Sequence, residues 1–307
     1  MTAPGTSLRP RVTEVADRVF AFVQPNGGWC LSNAGIVVGG DRVCVVDTAA
    51  TEARTRALHT EVGRLSPVPP SFLVNTHHHG DHTFGNSFFP ARTTVVSHDL
   101  ARTEMAEKQL SMCQVWPEVD WGNLELRLPD LTFSDRLSLY LGEQTAELLY
   151  VGPAHSTNDV VVWLPDRKCL FAGDVLLSGC TPFILMGSLA GSLQAVARLR
   201  TLGAETIVCG HGPVCGPEVF DVTERYLLWI RRLARDGIAA GLDPLTVARE
   251  TPLGEHAALV DPERLVANLH RAYAEERGAW PGEHIASGPV FREMTAYNGG
   301  RPLRCLA

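Results

Sequence analysis

No stretch of the 307 residues approaches the roughly 18 consecutive apolar side chains of a membrane span. The segment Met1 to Arg11 is rich in Pro, Gly and Thr with two arginines, and it lacks the apolar core of a secretory signal. A cytoplasmic protein without a membrane partner is therefore expected. No block is dense in Lys and Arg, and the formal net charge is -7, so nothing draws the chain to phosphate backbones and nucleic acid is not an expected partner. No CxxC pair occurs among the eight cysteines. Several of them, such as Cys44 and Cys209, sit in apolar runs, as buried free thiols do in a reducing compartment. There is no GxSxG nucleophile motif, no internal repeat and no low-complexity linker.

What is there is an ordinary globular composition, 45% hydrophobic and 20% charged, long enough to bury a sizeable core. Short apolar runs separated by turns dominate the first two thirds. Val19–Val23, Ala34–Val38, Val43–Val46, Phe72–Val74, Thr94–Val96, Leu137–Leu141, Thr145–Val151, Asp159–Leu164, Cys169–Ala172 and Thr206–Cys209 read as strands. Helical spacing marks Thr51 to Leu65 and His98 to Ser111, and Ser192 is placed to cap a helix closed by Gly203. After Pro217 the period changes. Val219, Val222, Tyr226, Ile230 and Leu233 recur at helical spacing, and further helical stretches follow Asp243-Pro244 and Asp261-Pro262. The organisation expected is an α/β catalytic domain over residues 1–215 with a C-terminal helical extension, 216–307, packed on it. That extension would either cover a pocket or pair two copies into a homo-oligomer.

The chemistry concentrates at Thr76-His77-His78-His79-Gly80-Asp81-His82, directly after the Phe72–Val74 strand. Imidazole and carboxylate are the donors that zinc and similar divalent ions take. A solvated polar loop does not need four such donors in six residues, and an artificial histidine run would not interleave Gly-Asp. Three more donors each follow an apolar run and small residues: His155, Asp174 and His211. Functional groups commonly sit at such strand ends, on loops that a rigid sheet positions.

These residues carry a family resemblance. Thr76–His82 resembles the HxHxDH signature of the metallo-β-lactamase superfamily, and His155, Asp174 and His211 match that family's remaining ligand motifs in order. The resemblance spans roughly residues 15 to 215. It implies a four-layer αβ/βα sandwich with two divalent metal ions at one edge, zinc being the ion expected. His77, His79 and His155 would hold one ion, Asp81, His82 and His211 the other, and Asp174 would bridge them. Asp81 would also orient the attacking water and take its proton, and Asp47 matches a supporting acidic residue. His78 occupies the variable position. Asp159 is either a carboxylate supporting the site or a polar strand-start residue.

Substrate is less legible, because this superfamily uses one site for lactams, thioesters, lactones and phosphodiesters. The best-known lactamases place a cysteine where Asp174 stands and a lysine nearby. Here Val175-Leu176-Leu177-Ser178 follows, without a cation. Glyoxalase II-type thioesterases use basic C-terminal residues for glutathione, whereas Arg225, Arg231, Arg232 and Arg235 read as a solvated helix face. The apolar run from Val175 to Met186 and the Gly-rich loop Gln24 to Cys30 suggest a pocket lined by Phe183 and Trp29, with the loop as a mobile flap. The stretches around Trp29, Trp116–Gly122 and Thr181-Pro182-Phe183 resemble the bifunctional cyclase/thioesterases of aromatic type II polyketide (actinorhodin-type) biosynthesis. That likeness implies a thioesterase that also promotes aldol ring closure on an acyl-carrier-protein-tethered substrate. Small thioesters or lactones, and an iron redox protein, are the alternatives.

Overall fold

The central strands are buried on both faces, with successive side chains joining different layers, and they build two sheets that face one another. The computed structural model describes residues 9–307, so the reading of Met1 to Arg11 falls largely outside the described residues. The first sheet has seven strands in sequential order: β1 (Arg11–Ala16), β2 (Val19–Val23), β3 (Ala34–Val38), β4 (Val43–Val46), β5 (Phe72–Val74), β6 (Thr94–His98) and β7 (Leu131–Phe133). β1 to β4 pair antiparallel, and β4 to β7 pair parallel. The parallel steps need crossovers, supplied by helix α1 (Glu52–Leu65) between β4 and β5, and by α2 (Gly80–Thr83) with a following 3-10 turn between β5 and β6. The third parallel step, β6 to β7, carries α3 (Asp99–Lys108). The second sheet is formed by β8 (Arg136–Tyr140), β9 (Thr145–Tyr150), β10 (Val160–Leu164), β11 (Cys169–Leu177) and β12 (Thr206–His211). It is antiparallel except for the β11–β12 pair, whose crossover is α4 (Leu189–Arg200).

The period of two sends neighbouring residues to different layers. Cys44 and Val46 of β4 join Val160 and Val162 of β10 in the apolar layer between the sheets. Val45, between them, packs with Leu58 and Val62 of α1 on the outer face. Val161 and Trp163 point the other way, into a cluster with Leu199 of α4 and with the C-terminal helices α5 (Glu218–Ala239), α6 (Pro244–Glu250), α7 (Arg264–Glu276) and α8 (Ser287–Tyr297). The result is the expected helix–sheet–sheet–helix sandwich, with the helices after Glu218 packed onto the second sheet. Among the described residues no helix is long and apolar enough to cross a membrane.

Several sequence expectations are corrected. α4 is capped by Ser188, whose side chain accepts from Gly191 N at 2.9 Å, and Ser192 lies inside the helix with its hydroxyl donating back to Ser188 O. β11 does not stop at Ala172 but runs to Leu177. Gly173 adopts φ +51, and the register against β12 slips on both sides of it, so a bulge interrupts the pattern without ending the strand. β1 and β7 escaped notice because they are half-exposed edge strands with few apolar residues. α8 did so because Gly288 and Pro289 open it.

Candidate functional site

The end of β5 delivers the histidine cluster to the sandwich edge. Asp47, one residue past β4, is buried with φ +61, a left-handed conformation that short polar residues tolerate best. Its carboxylate accepts from Thr76 N at 2.7 Å, from Thr76 Oγ1 at 2.8 Å and from the His82 ring at Nδ1, 2.8 Å away. One side chain thus fixes both the strand exit and a ring orientation. His79 occupies the N-cap position of α2, and Asp81 and His82 lie within that helix.

The donors gather in two groups whose candidate ligand atoms lie within 4.8 Å of one another: His77, His79, His155 and Asp174 in one, Asp81, His82 and His211 in the other. In the first, the rings of His77, His79 and His155 form a triangle with every pair of centroids 4.7 Å apart and every pair of planes near perpendicular. His155 Nε2 and His79 Nδ1 approach to 2.8 Å. In the second, His211 Nε2 lies 3.2 Å from Asp81 Oδ2. Asp174 stands between the groups, 3.2 Å from His82 Nε2, 3.4 Å from His211 Nε2 and 3.5 Å from His155 Nε2.

Inward and outward nitrogens are sorted. Outward, the His77 ring meets Thr76 Oγ1, His155 Nδ1 meets Phe183 O, and His211 Nδ1 meets Gly27 O. Such anchors fix the tautomer and aim the other nitrogen at an ion. Inward, His77 Nε2, His82 Nε2 and Asp174 Oδ1 are buried without a hydrogen-bond partner. An unmet buried polar atom costs about 1–3 kcal/mol, so three in one spot argue for a shared cation. The donor set and its orphaned atoms fit divalent metal ions.

The electrostatics set the two donor groups apart. Burial, with the neighbouring imidazoles, pushes His77 and His79 well below the usual histidine range, into the neutral form that ligates. Burial opposes a charged Asp174, yet His211, His82 and His155 hold its carboxyl well below the usual range. Burial likewise opposes a charged His211, but Asp174 and Asp81 carry it up to about 9.

The loop carrying His155 is held by Asp159, which is buried and accepts from Ala154 N, Ser156 N and Ser156 Oγ. Asp159 thus shapes the loop that carries His155. His78 points away from both groups. It bonds Asn158, and Lys108 Nζ lies 3.1 Å from its Nε2.

Over the donors opens a cavity of about 900 Å³, walled by Trp29, Met105, Trp116, Phe183 and Phe291 among others. Trp29 is its hub, with ring centroids 5.3 Å from Phe183 and 5.6 Å from Trp116. The loop of Trp29 is tied at several points. Gly27 O anchors His211, Gln24 bonds Ser32 and Asn33, and Trp29 Nε1 donates to Glu263 at 2.8 Å. Sequence reasoning missed α8, whose Phe291, Arg292 and Thr295 form one cavity wall, and it missed Lys108 at the same cavity. The C-terminal helices therefore line the pocket. The four tail arginines lie outside it, and Arg225 and Arg235 are more than half exposed.

A family model of the metallo-beta-lactamase superfamily matches residues 27–211. Metallo-beta-lactamase type 2 of Bacteroides fragilis is 26% identical over 226 residues, spanning 70% of this chain and 84% of that protein. A hydroxyacylglutathione hydrolase of Methylococcus capsulatus is 32% identical over 177 residues, spanning 56% of this chain and 58% of that protein. In three dimensions, a metallo-beta-lactamase from Pontibacter korlensis matches with a TM-score of 0.61 at 23% identity, over 72% of this chain and 99% of its own, a likeness of fold. The matched span takes in each of the seven donors gathered around Asp174, and the chain belongs to the metallo-β-lactamase superfamily.

Proposed function

We propose that the protein is a binuclear metal-dependent hydrolase of acyl thioesters with bulky, aromatic acyl groups. A carrier-tethered aromatic polyketide, whose aldol ring closure it also promotes, is the substrate that suits it best. The carrying observation is the placement of both donor groups, joined at Asp174, beneath a cavity of about 900 Å³ with Trp29, Trp116, Phe183 and Phe291 in its walls. Pockets of this size bury most of a drug-sized ligand. The hydroxyacylglutathione hydrolase relatives support acyl cleavage as the reaction class.

His77, His79 and His155 would hold one ion and Asp81, His82 and His211 the other, with Asp174 shared. Zinc suits this imidazole and carboxylate set. Bound divalent ions would lower the pKa of water to roughly 7 and stabilise oxyanion and enolate charge. Asp81 accepts the proton of the attacking water and hands it to the departing thiolate. Trp29 and Phe183 hold the acyl group flat against the donors and exclude bulk water. No side-chain nucleophile is required. We assign the chemistry to residues 1–215 and one pocket wall to 216–307, in a cytoplasm that keeps the eight thiols free.

Elemental analysis and a thiol-release assay test the proposal together. Two divalent ions per chain are expected, with release of thiol from aromatic acyl-pantetheine or acyl-carrier thioesters outpacing a lactone and a lactam. Fewer than one ion per chain, redox-active iron, or faster lactam opening would overturn it. Chelation should abolish turnover, and added zinc should restore it.

A further inference from the structure

We infer that Asn268 is a positioning residue for the His77–His79–His155 metal site, through which the C-terminal helices set the geometry of a donor they do not themselves supply. This rests on the proposed binuclear reading. Asn268 lies on α7, which supplies none of the residues of the two donor groups, and it is completely buried.

Its amide brackets one residue. Nδ2 donates to Pro182 O at 2.7 Å, and Oδ1 accepts from Ile184 N at 2.9 Å. Between these two contacts stands Phe183. The Phe183 carbonyl meets His155 Nδ1, and its ring packs on Trp29 in the cavity wall. Fixing the peptides on both sides of Phe183 fixes the direction of that carbonyl, and the carbonyl fixes the His155 ring. The imidazole's inward Nε2 then faces His79 and Asp174.

The neighbours on α7 extend the clamp at helical spacing. Arg264 NH1 donates to Thr181 O, and Arg271 donates to Leu185 O. Residues 264, 268 and 271 thus hold the segment 181–185 along one stripe of the helix. Asn268 alone grips both sides of the residue that touches a proposed ligand. The other donor group has a different support, Asp47 on His82 and Gly27 O on His211. Loss of Asn268 should therefore weaken one site and spare the other.

The test is an equilibrium titration of the full-length apoprotein with Zn2+ in competition with a chromophoric chelator, resolving two dissociation constants. Outer partners of metal-bound histidines typically contribute 10–100-fold in affinity. One step further out, Asn268→Ala is expected to weaken one of the two constants about tenfold and leave the other within about twofold. Asn268→Leu keeps the volume without burying a charge and loses both the acceptor for Ile184 N and the donor to Pro182 O, so it should fold and show the same one-site weakening. Tyr226→Phe removes only the hydroxyl that Asn268 Nδ2 also reaches at 3.0 Å, and should leave both constants unchanged. Two wild-type constants in a folded Asn268→Leu, or equal weakening of both sites, would overturn the inference. Failure of the wild type to bind two ions would instead overturn the binuclear reading beneath it.

Discussion

Oδ1 of Asp174 lies 3.2 Å from Nε2 of His82, and neither atom has a hydrogen-bond partner. Two buried polar atoms that approach without bonding are held for something between them. Replacing Asp174 with Ala should lower kcat/KM about a thousandfold, equivalent to about 4 kcal/mol. Metal content should fall from two ions per chain towards one, read by elemental analysis on the same sample. Retention of both ions and full turnover would remove Asp174 from the proposed bridge.

Asp47 tests a different link, from supporting residue to stability. Its carboxylate satisfies Thr76 and His82 from a backbone at φ +61. Asp47→Ala strands these donors and places an alanine in the left-handed region, and should destabilise by about 3–5 kcal/mol. Asp47→Asn tolerates that backbone and keeps an acceptor oxygen, so it should cost about 2 kcal/mol. Denaturant unfolding of the metal-free protein measures both, and equal costs would contradict this account.

Gly210 sits one residue before His211, and a methyl group there would come within 1.9 Å of Asp174 Oδ1 and 2.7 Å of the Gly173 backbone. The Gly173 backbone is held by its pairing with Cys209, so the Asp174 side chain must move. Misplacing a reacting group by about 1 Å costs about 100-fold, and Gly210→Ala should lose activity on that scale. Hydrolysis assays beside a thermal melt separate this from simple unfolding, which would lower both together.

Trp29 reports on the pocket. Its ring is the hub between Trp116 and Phe183. Trp29→Ala should reduce kcat/KM for aromatic acyl thioesters about 10–100-fold, the loss of about 1.5–3 kcal/mol of apolar contact, and for acetyl thioesters by less than about threefold. Equal losses on both substrates would place Trp29 in the core and not in recognition.

The donors were legible because their chemistry is local. His77 to His82 lie within a single turn after a strand, and His155, Asp174 and His211 each follow an apolar run. The sheets were legible for the same reason, since β4 and β10 are unbroken apolar runs buried on both faces, written in neighbouring residues. The bulge at Gly173 was not. Its left-handed backbone is set by pairing with β12, more than thirty residues on, and the sequence around Asp174 looks like a strand end. Nor could the sequence show that Glu263 holds Trp29 or that Asn268 brackets Phe183, because partners some 80 to 240 residues apart leave no spacing to read. The pocket wall from α8 was hidden by the Gly-Pro pair that opens that helix.

The family match ends at His211, while the cavity wall made by Phe291, Arg292 and Thr295 comes from the last turns of the chain. All seven donors lie inside the matched span, and part of the cavity wall lies outside it. A library confined to those three positions would vary one wall of the cavity and replace none of the seven donors, with Phe291 the position that also touches Trp29 and Phe183.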